Sequence, residues 1–572
     1  MPLSFKNEND FHWVLKKIVV IGPGIVGMPM AALLAHARLR EGSDEPAKVL
    51  VLQRNSRNSG WKVDAINSGR SVIGGVEPGL DDIVADAVRA GVLSASHDYS
   101  KGADADMVLV CVQTDKDGFG PDYGPLFEAL EDLAVALKKR PAGNIPVICF
   151  ESTLAPSSMT TLVRDFFAKH GLIEGKDILL GNSPNRVMPG RLVERVAASD
   201  KLVAGLHPLT PKLIQRIYSR IVTGGKLHPT NSMTAEVVKT LENAYRDVRI
   251  AFAAEVVRYC DANDIDFFAL RDAVNARLSQ SDAASASATA VPSGGVLVPT
   301  TGVGGHCLPK DGILLWWRMI ESGADTSHSL ILESRKINDD SPAQIIKLAE
   351  KAIGKIDGKR IALLGTAYRF DSEDTRNSPT LYLAKLLLER KCTVAIHDPY
   401  VKGDDQNLRK FALTEYFTND MAKALDKAEV VFVCTGHAAY VKALADIKRL
   451  ASSATLLVDG ANTFKRGDFA SGKLKYVGIG RGTRQPSEAL VKEIEKRFRD
   501  MEAGVGNELT SLIAFLNGRY AADKFNQVQF SEVQRIAATC PTGCAIADPG
   551  TVRKPAAFEG FSSKLVACAV NG

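Results

Sequence analysis

The stretch TTGVGGHCLPKD, residues 300–311, sets Cys307 behind Gly302, Gly304 and Gly305 and just ahead of Pro309, Lys310 and Asp311. Proline suits the first turn of a helix because it has no N–H to leave unsatisfied. PKDGILLWWRMI therefore reads as a helix, weakened by Gly312, with Cys307 just ahead of its N-terminus. The positive end of the helix dipole stabilises a thiolate there, and Lys310 adds positive charge nearby. The three glycines leave room for a substrate to approach the backbone. Asp311 is placed to hold a water or a proton next to the sulfur. A small hydrophobe packing a turn would need neither the glycines nor the Lys–Asp pair, so the stretch reads as a nucleophile site. His306 beside Cys307 does not make a metal site, since adjacent residues rarely supply two ligands and no third is evident.

A second motif is Gly22-x-Gly24-x-x-Gly27, between the apolar run Ile18 to Ile21 and an apolar helical stretch. A strand before and a helix after make this fingerprint a pyrophosphate site. Gly22 permits the tight turn, Gly24 lets the backbone approach phosphate, and Gly27 allows close helix–strand packing. The helix N-terminus then faces the negative charge. A glycine-rich turn without a ligand is the competing reading. In VLVLQRN, Gln53 stands where an acid would grip the ribose hydroxyls, and Arg54 follows. Gln53 can still hydrogen-bond a ribose and Arg54 could meet a 2′-phosphate, so NAD and NADP both stay open. Lys239 and Asn243, four apart, share a helical face, which by spacing alone reads as a solvated pair.

The elements that must position these groups alternate between strand and helix. KVLVLQ, DMVLVCV and IPVICFEST continue the first unit as strands, arguing for a doubly wound parallel sheet. From about Thr230, SMTAEVVKTLENAYRDVRIAFAAEVVRYCDAND gives about thirty residues of helical periodicity, long enough for a spine between two domains. Its apolar positions Val237, Val238, Leu241 and Val248 offer more than one face, which suggests a homodimer interface. SQSDAASASATAVPSGG follows as a mobile loop. GKRIALLGTAYRF opens a second alternating unit, continued by CTVAIHDPY, AEVVFVCTG and ATLLVDGAN, without the three-glycine fingerprint. Beyond about Arg499 the chain reads as one or two amphipathic helices and a Gly/Pro/Ala-rich end, where Cys540 and Cys544 read as free thiols.

The expected fold is α/β: two Rossmann-like doubly wound parallel sheets joined by a long central helix, plus a mostly helical C-terminal extension. The expected domains are 1–229, 230–345, 346–499 and 500–572. With 572 residues the chain exceeds a single core. A net charge of +5 without basic runs excludes a nucleic-acid protein. No apolar run approaches the roughly 20 residues of a membrane span, and the N-terminus lacks a signal peptide's apolar core. Nine scattered cysteines fit a reducing compartment, hence a cytoplasmic protein.

From about Lys16 to about Arg497 the chain resembles the nucleotide-sugar 6-dehydrogenases, the UDP-glucose/UDP-N-acetylhexosamine group. The landmarks GPGIVG, EPGL, ESTLAP, SPNRVMPG, VKTLENAYRDVRIAFAAE, GVGGHCLPKD and GTAYRFDSEDTRNSP occur in family order. The resemblance implies NAD as cofactor, a UDP-sugar as substrate and a homo-oligomer. It also implies a double oxidation of the sugar C6 alcohol to a uronic acid, for polysaccharide precursors. Cys307 matches the thiol that captures the aldehyde as a thiohemiacetal and then carries the thioester. Lys239 and Asn243 match the pair steadying the oxyanion and ordered water, Asp311 the acid/base helper, and Thr153 the hydroxyl that positions water. Tyr368 and Arg369 fall beside the UDP-sugar, with Gly304, and Ile25, Val26, Thr114 and Thr153 join the cofactor set. His306 before the nucleophile favours UDP-N-acetylmannosamine or UDP-N-acetylglucosamine over UDP-glucose.

Four departures stand out. Gln53 replaces the ribose-binding acid, Gln113 and Asp115 break a VPTP turn, Asn185 replaces a glutamate implicated in thioester hydrolysis, and the segment after Arg499 has no family counterpart. Asparagine can orient water but cannot accept its proton near neutral pH, which leaves Asp311, Glu151 or Glu194 to do so. The rivals are a UDP-glucose dehydrogenase, a two-electron hydroxyacid dehydrogenase and a UDP-sugar-binding pseudoenzyme.

Overall fold

The computed structural model describes residues 13–57, 59–74, 77–140, 145–187, 189–281, 295–552 and 561–571. The segment expected to be a mobile loop lies largely outside these residues; its first residues close the helix Phe267–Ser281. The chain forms two compact units: Met1–Glu242, Leu314–Ala324 and Ser511–Thr542 make the first, and Asn243–Ile313, Asp325–Thr510 and Gly543–Gly572 the second.

Short β-branched runs build the first unit. Its strands are β1 (Lys17–Ile21), β2 (Lys48–Leu52), β3 (Leu93–Ser96) and β4 (Met107–Val110), a hairpin β5 (Asp115–Asp117) and β6 (Gly120–Asp122), then β7 (Val147–Phe150), β8 (Leu179–Asn182), β9 (Lys201–Gly205) and β10 (Leu227–Asn231). The main sheet has the order β10-β9-β8-β7-β4-β1-β2-β3. Alternate residues feed two cores: Val20, Val51 and Leu109 enter one, while Val19, Ile21, Val108 and Phe150 enter the other. Both faces are covered, which is why the strands read as unbroken apolar runs. One pairing departs from the parallel pattern: β8 and β9 run antiparallel. The connection that reverses the chain there is the one carrying SPNRVMPG. The hairpin accounts for the break at Gln113 and Asp115, because DKDGFGPD turns at Gly118 (φ 55°) and pairs Asp117 with Gly120.

In the second unit, β11 (Arg360–Leu364), β12 (Thr393–His397), β13 (Phe417–Thr418), β14 (Val430–Val433), β15 (Leu456–Asp459) and β16 (Lys475–Gly478) form a fully parallel sheet of order β13-β12-β11-β14-β15-β16. Numbered within the sheet this is 3-2-1-4-5-6, the order found around β1 in the first unit.

The central helix spans Ser232–Ala262, and the Asn231 side-chain oxygen accepts from the Thr234 N–H to cap its start. Val237, Val238, Leu241 and Val248 are all 0% exposed within the single chain. These four side chains are thus packed within the chain itself. Within the second unit, tail residues cover the helix flank. Tyr245 donates to Glu502, Phe252 meets the Phe498 ring edge-on, and Ser563 and Lys564 N–H donate to Glu255.

The tail begins inside a helix. Glu488–Arg519 is continuous, so a boundary at residue 499 falls in mid-helix. Leu490, Ile494, Phe498, Met501, Val505, Leu509, Leu512 and Leu516 keep one buried stripe running across that point. Gly504 is needed where the helix Lys564–Asn571 passes, because an added Cβ would lie 2.5 Å from the Ala569 Cβ. Among the described residues no helix is long and apolar enough to cross a membrane.

Candidate active site

In the first unit the glycine turn has the shape of a phosphate cradle. Gly22 adopts φ 86°, and a Cβ there would lie 2.9 Å from the Cys111 carbonyl oxygen. A Cβ on Gly27 would lie 2.2 Å from the Gly22 oxygen, whereas one on Gly24 would meet nothing within 4 Å. The backbone is thus tight on the protein side and open on the other, as a pyrophosphate requires. Ile25 and Val26 continue the turn into the helix Gly27–His36. At the end of β2, the Gln53 carboxamide donates to Ser59 Oγ (3.0 Å), and Arg54 pairs with Glu128 at 2.5 Å on the surface. Arg54 is therefore not simply waiting for a 2′-phosphate.

The ends of β4 and β7 bring Thr114 and Thr153 together: Thr114 Oγ1 donates to the Thr153 carbonyl at 2.7 Å. The following loop is fixed at Ser157. Its N–H and that of Met159 donate to Glu236, each at 2.8 Å, and its hydroxyl accepts from Arg318 at 2.7 Å. Burial pushes the Glu236 carboxyl up to about 8. Asn185 sits after β8, where its side-chain oxygen accepts from the Val187 N–H at 2.8 Å. Two of the acids considered as its substitute are committed elsewhere. Glu151 is buried between Lys201 (2.6 Å) and the Tyr218 hydroxyl, and Glu194 is exposed beside Arg191. Lys239 is buried on the central helix, and its charge acts on Glu242.

In the second unit, Cys307 directly precedes the helix Leu308–Glu321, and its carbonyl accepts from Lys310 N–H (3.1 Å) and Asp311 N–H (3.0 Å). It is the exposed one of the chain's nine cysteine thiols. Asp311 is fully buried between Asn243 Nδ2 (2.6 Å) and Lys310 Nζ (2.7 Å). The Asn243–Asp311 pairing unites two of the expected residues. The Lys310 ammonium pairs with Asp311, because a buried carboxylate needs a cation.

The glycines before Cys307 accommodate Tyr368. A Cβ on Gly304 would lie 2.4 Å from the Tyr368 Cβ, and Gly305 adopts φ 87° against the same ring. Arg369 follows, with its guanidinium beside the Phe370 ring. Two residues escaped the sequence reading although they lie in GTAYRFDSEDTRNSP. The Arg376 carbonyl accepts from Gly305 N–H (2.7 Å) and Asn377 donates to the Gly305 oxygen (2.9 Å), so this strand-like crossing fixes the cysteine loop. Arg376 is anchored on Asp374 and feels the Cys307 charge. The signal was an Asp-x-Arg pair inside a landmark.

Comparison with known proteins agrees with this arrangement. Residues 16–222, 233–340 and 362–466 match the NAD binding, central and UDP binding domains of the UDP-glucose/GDP-mannose dehydrogenase family. A UDP-N-acetyl-D-mannosamine dehydrogenase of Campylobacter jejuni is 30% identical over 75% of this chain and 97% of its own length. One from Pyrococcus horikoshii is 28% identical over 82% and 99%. The crystal structure of an NDP-N-acetyl-D-galactosaminuronic acid dehydrogenase from Methanosarcina mazei Go1 superimposes with a TM-score of 0.68 at 31% identity, covering 82% of this chain and 96% of that one. With all three domains matched in order, and the glycine turn and cysteine loop built as described, the chain belongs to the UDP-glucose/GDP-mannose dehydrogenase family of NAD-dependent UDP-sugar dehydrogenases.

Proposed function

We propose that this enzyme oxidises the C6 alcohol of a UDP-N-acetylhexosamine to the uronic acid in two steps, with Cys307 as the covalent anchor. The observation that carries this is Cys307, exposed at a helix start, beside Asp311 pinned by Asn243. His306 and the similarity to UDP-N-acetyl-D-mannosamine dehydrogenases support the sugar class.

NAD held at the Gly22–Gly27 turn would accept one hydride in each oxidation, a fresh NAD replacing the reduced one between the two. Ile25 and Val26 form the turn, Thr114 holds Thr153 beside it, and Gln53 faces the ribose. Residues 1–229 would hold the cofactor, 230–345 the reactive residues and 346–499 the UDP-sugar, through Tyr368, Arg369 and Gly304. The thiolate of Cys307 adds to the C6 aldehyde, giving a thiohemiacetal whose oxyanion Lys239 and Asn243 stabilise, worth a few kcal/mol per well-placed donor. Oxidation of that adduct leaves a thioester on Sγ. Water held by Thr153 and Asn185 then attacks, Asp311 receives its proton, and the carboxylate product leaves as the thiolate re-forms. Lys310 and Asn243 keep the Asp311 carboxylate fixed for this transfer.

The test is to identify the product by mass after incubation with NAD and each UDP-sugar in turn. Two equivalents of reduced NAD per UDP-N-acetylhexosaminuronate are expected. Uronate from UDP-glucose alone, or one reduced NAD per product, would overturn the reading. Cys307→Ala should bind both ligands and form no uronate.

A further inference from the structure

We infer that residues 520–540, beyond the family-matched domains, are a clamp that positions the loops carrying Thr153 and Asn185, acting on the second through Thr539. The inference rests on the roles proposed above for those two residues. Thr539 is a positioning residue: it touches Arg186, not substrate.

Arg186, next to Asn185, buries its guanidinium among four acceptors of the first unit. Nη1 donates to Thr539 Oγ1 (2.9 Å) and to the Asp200 carbonyl (3.4 Å). Nη2 donates to the Ile536 carbonyl (3.2 Å) and pairs with the Glu242 carboxylate. Two of these four acceptors, Thr539 and Ile536, come from the tail. The Arg186–Glu242 pair is buried on both sides, at 2% exposure each. Such a pair adds little net stability, because desolvating two charges offsets their attraction. What it does supply is a fixed geometry. Asn185 itself donates only a long backbone bond to the Glu151 carbonyl (3.4 Å), so its place depends on where its neighbour is anchored.

The other loop is reached independently. Tyr520 donates to Ser157 Oγ at 3.1 Å. Ser157 adopts φ 74°, a left-handed conformation that a non-glycine residue keeps only where its surroundings hold it. Between these two contacts Asn526 donates to the Leu206 carbonyl (3.4 Å) and Gln527 accepts from Asn231 (2.9 Å). The segment is therefore seated along its length. The effect also reaches the central helix. Glu242 is drawn on by both Arg186 and Lys239, so displacing Arg186 changes the field at Lys239.

The experiment uses the full-length enzyme with Thr539→Val and Thr539→Ser. Hydrogen–deuterium exchange and steady-state kinetics on the preferred UDP-sugar are measured for each. Thr539→Val should speed exchange at least threefold in the peptide covering residues 183–192 and lower kcat three- to tenfold, with KM for NAD unchanged. Thr539→Ser, which keeps the hydroxyl, should restore both. Unchanged exchange at 183–192 in Thr539→Val overturns the clamp, as does faster exchange throughout the chain or failure of Thr539→Ser to rescue. If the exchange pattern holds while the wild type turns over no UDP-sugar, the clamp stands and the proposed function falls.

Discussion

After β1 the chain turns through Gly22 and Gly24 into open space. After β11, in a sheet of the same strand order, it turns through Gly365 (φ 99°) onto a carboxylate of its own. Asp398, at the end of β12, accepts from the N–H groups of Thr366 (2.7 Å) and Ala367 (2.9 Å), and from Tyr400, Val401 and His437. Gln53 stands at the corresponding end of β2, its carboxamide donating to Ser59 Oγ and the Arg54 carbonyl. Two sheets of one topology thus answer the same backbone demand differently. The second gives the Thr366 and Ala367 N–H groups to a carboxylate, whereas the first gives the Gly22 and Gly24 N–H groups to the Leu52 and Gly22 carbonyls and leaves the face at Gly24 open. A strand order alone does not announce a phosphate site.

The largest effect should come from closing the open turn. Gly24→Val, which fills the open side, should weaken NAD binding by about 1000-fold, or roughly 4 kcal/mol, with UDP-sugar binding intact by calorimetry. Retained NAD affinity would show that the first turn is no cradle.

Emptying the filled turn should instead cost stability. Asp398→Ala leaves buried N–H groups without an acceptor and should destabilise the fold by about 2–4 kcal/mol, read by calorimetric melting, without altering NAD affinity. Although burial pushes it up, the hydrogen bonds from His437 and the backbone hold the Asp398 carboxyl below its ordinary range. Its contribution is then present above the unfolded value of about 3.9 and lost as pH falls through the lower folded value. The melting difference between wild type and Asp398→Ala should narrow on acidification; a gap that widened below pH 4 would contradict this.

A finer probe concerns the ion pair beside the open turn. Glu128→Gln releases Arg54, and since exposed pairs are worth up to about 1 kcal/mol, the NADP-to-NAD ratio of kcat/KM should rise two- to fivefold. No change would remove Arg54 from cofactor choice. Smallest of all, Asp398→Ser should make the second turn accept inorganic pyrophosphate, raising the melting temperature by about 1–2 °C. Equal stabilisation of the wild type would mean that the anion binds elsewhere.

Much of this was legible in the sequence. Apolar runs such as KIVVI and RIALL are buried on both faces, so both sheets read directly. Pro309 marked the helix start that places Cys307. The pairing of Lys310 with Asp311 was not legible, because spacing along the first turn of a helix does not say which way a long side chain folds. Asp311, buried one residue later, decided it. The tail gave away its helices but not its role. Its partners Ser157, Arg186 and Glu255 lie some three hundred residues earlier, and an amphipathic stripe does not reveal what covers it. CTVAIHDPY contains the acid of the second turn, Asp398, but only the fold brings its donors to it.

The first unit is also discontinuous, closing only with Ser511–Thr542. On the ribosome, the roughly 270 residues between Glu242 and Ser511 take about 15–55 s to emerge. For that interval the nascent first sheet exists without Tyr520 and Thr539, and the Arg186–Glu242 pair stands without half of its surrounding acceptors. Native closure of the first unit therefore waits for Ser511–Thr542 to be synthesised. A transcript truncated before residue 511 yields a sheet with an unfinished flank, a ready client for chaperones and proteases.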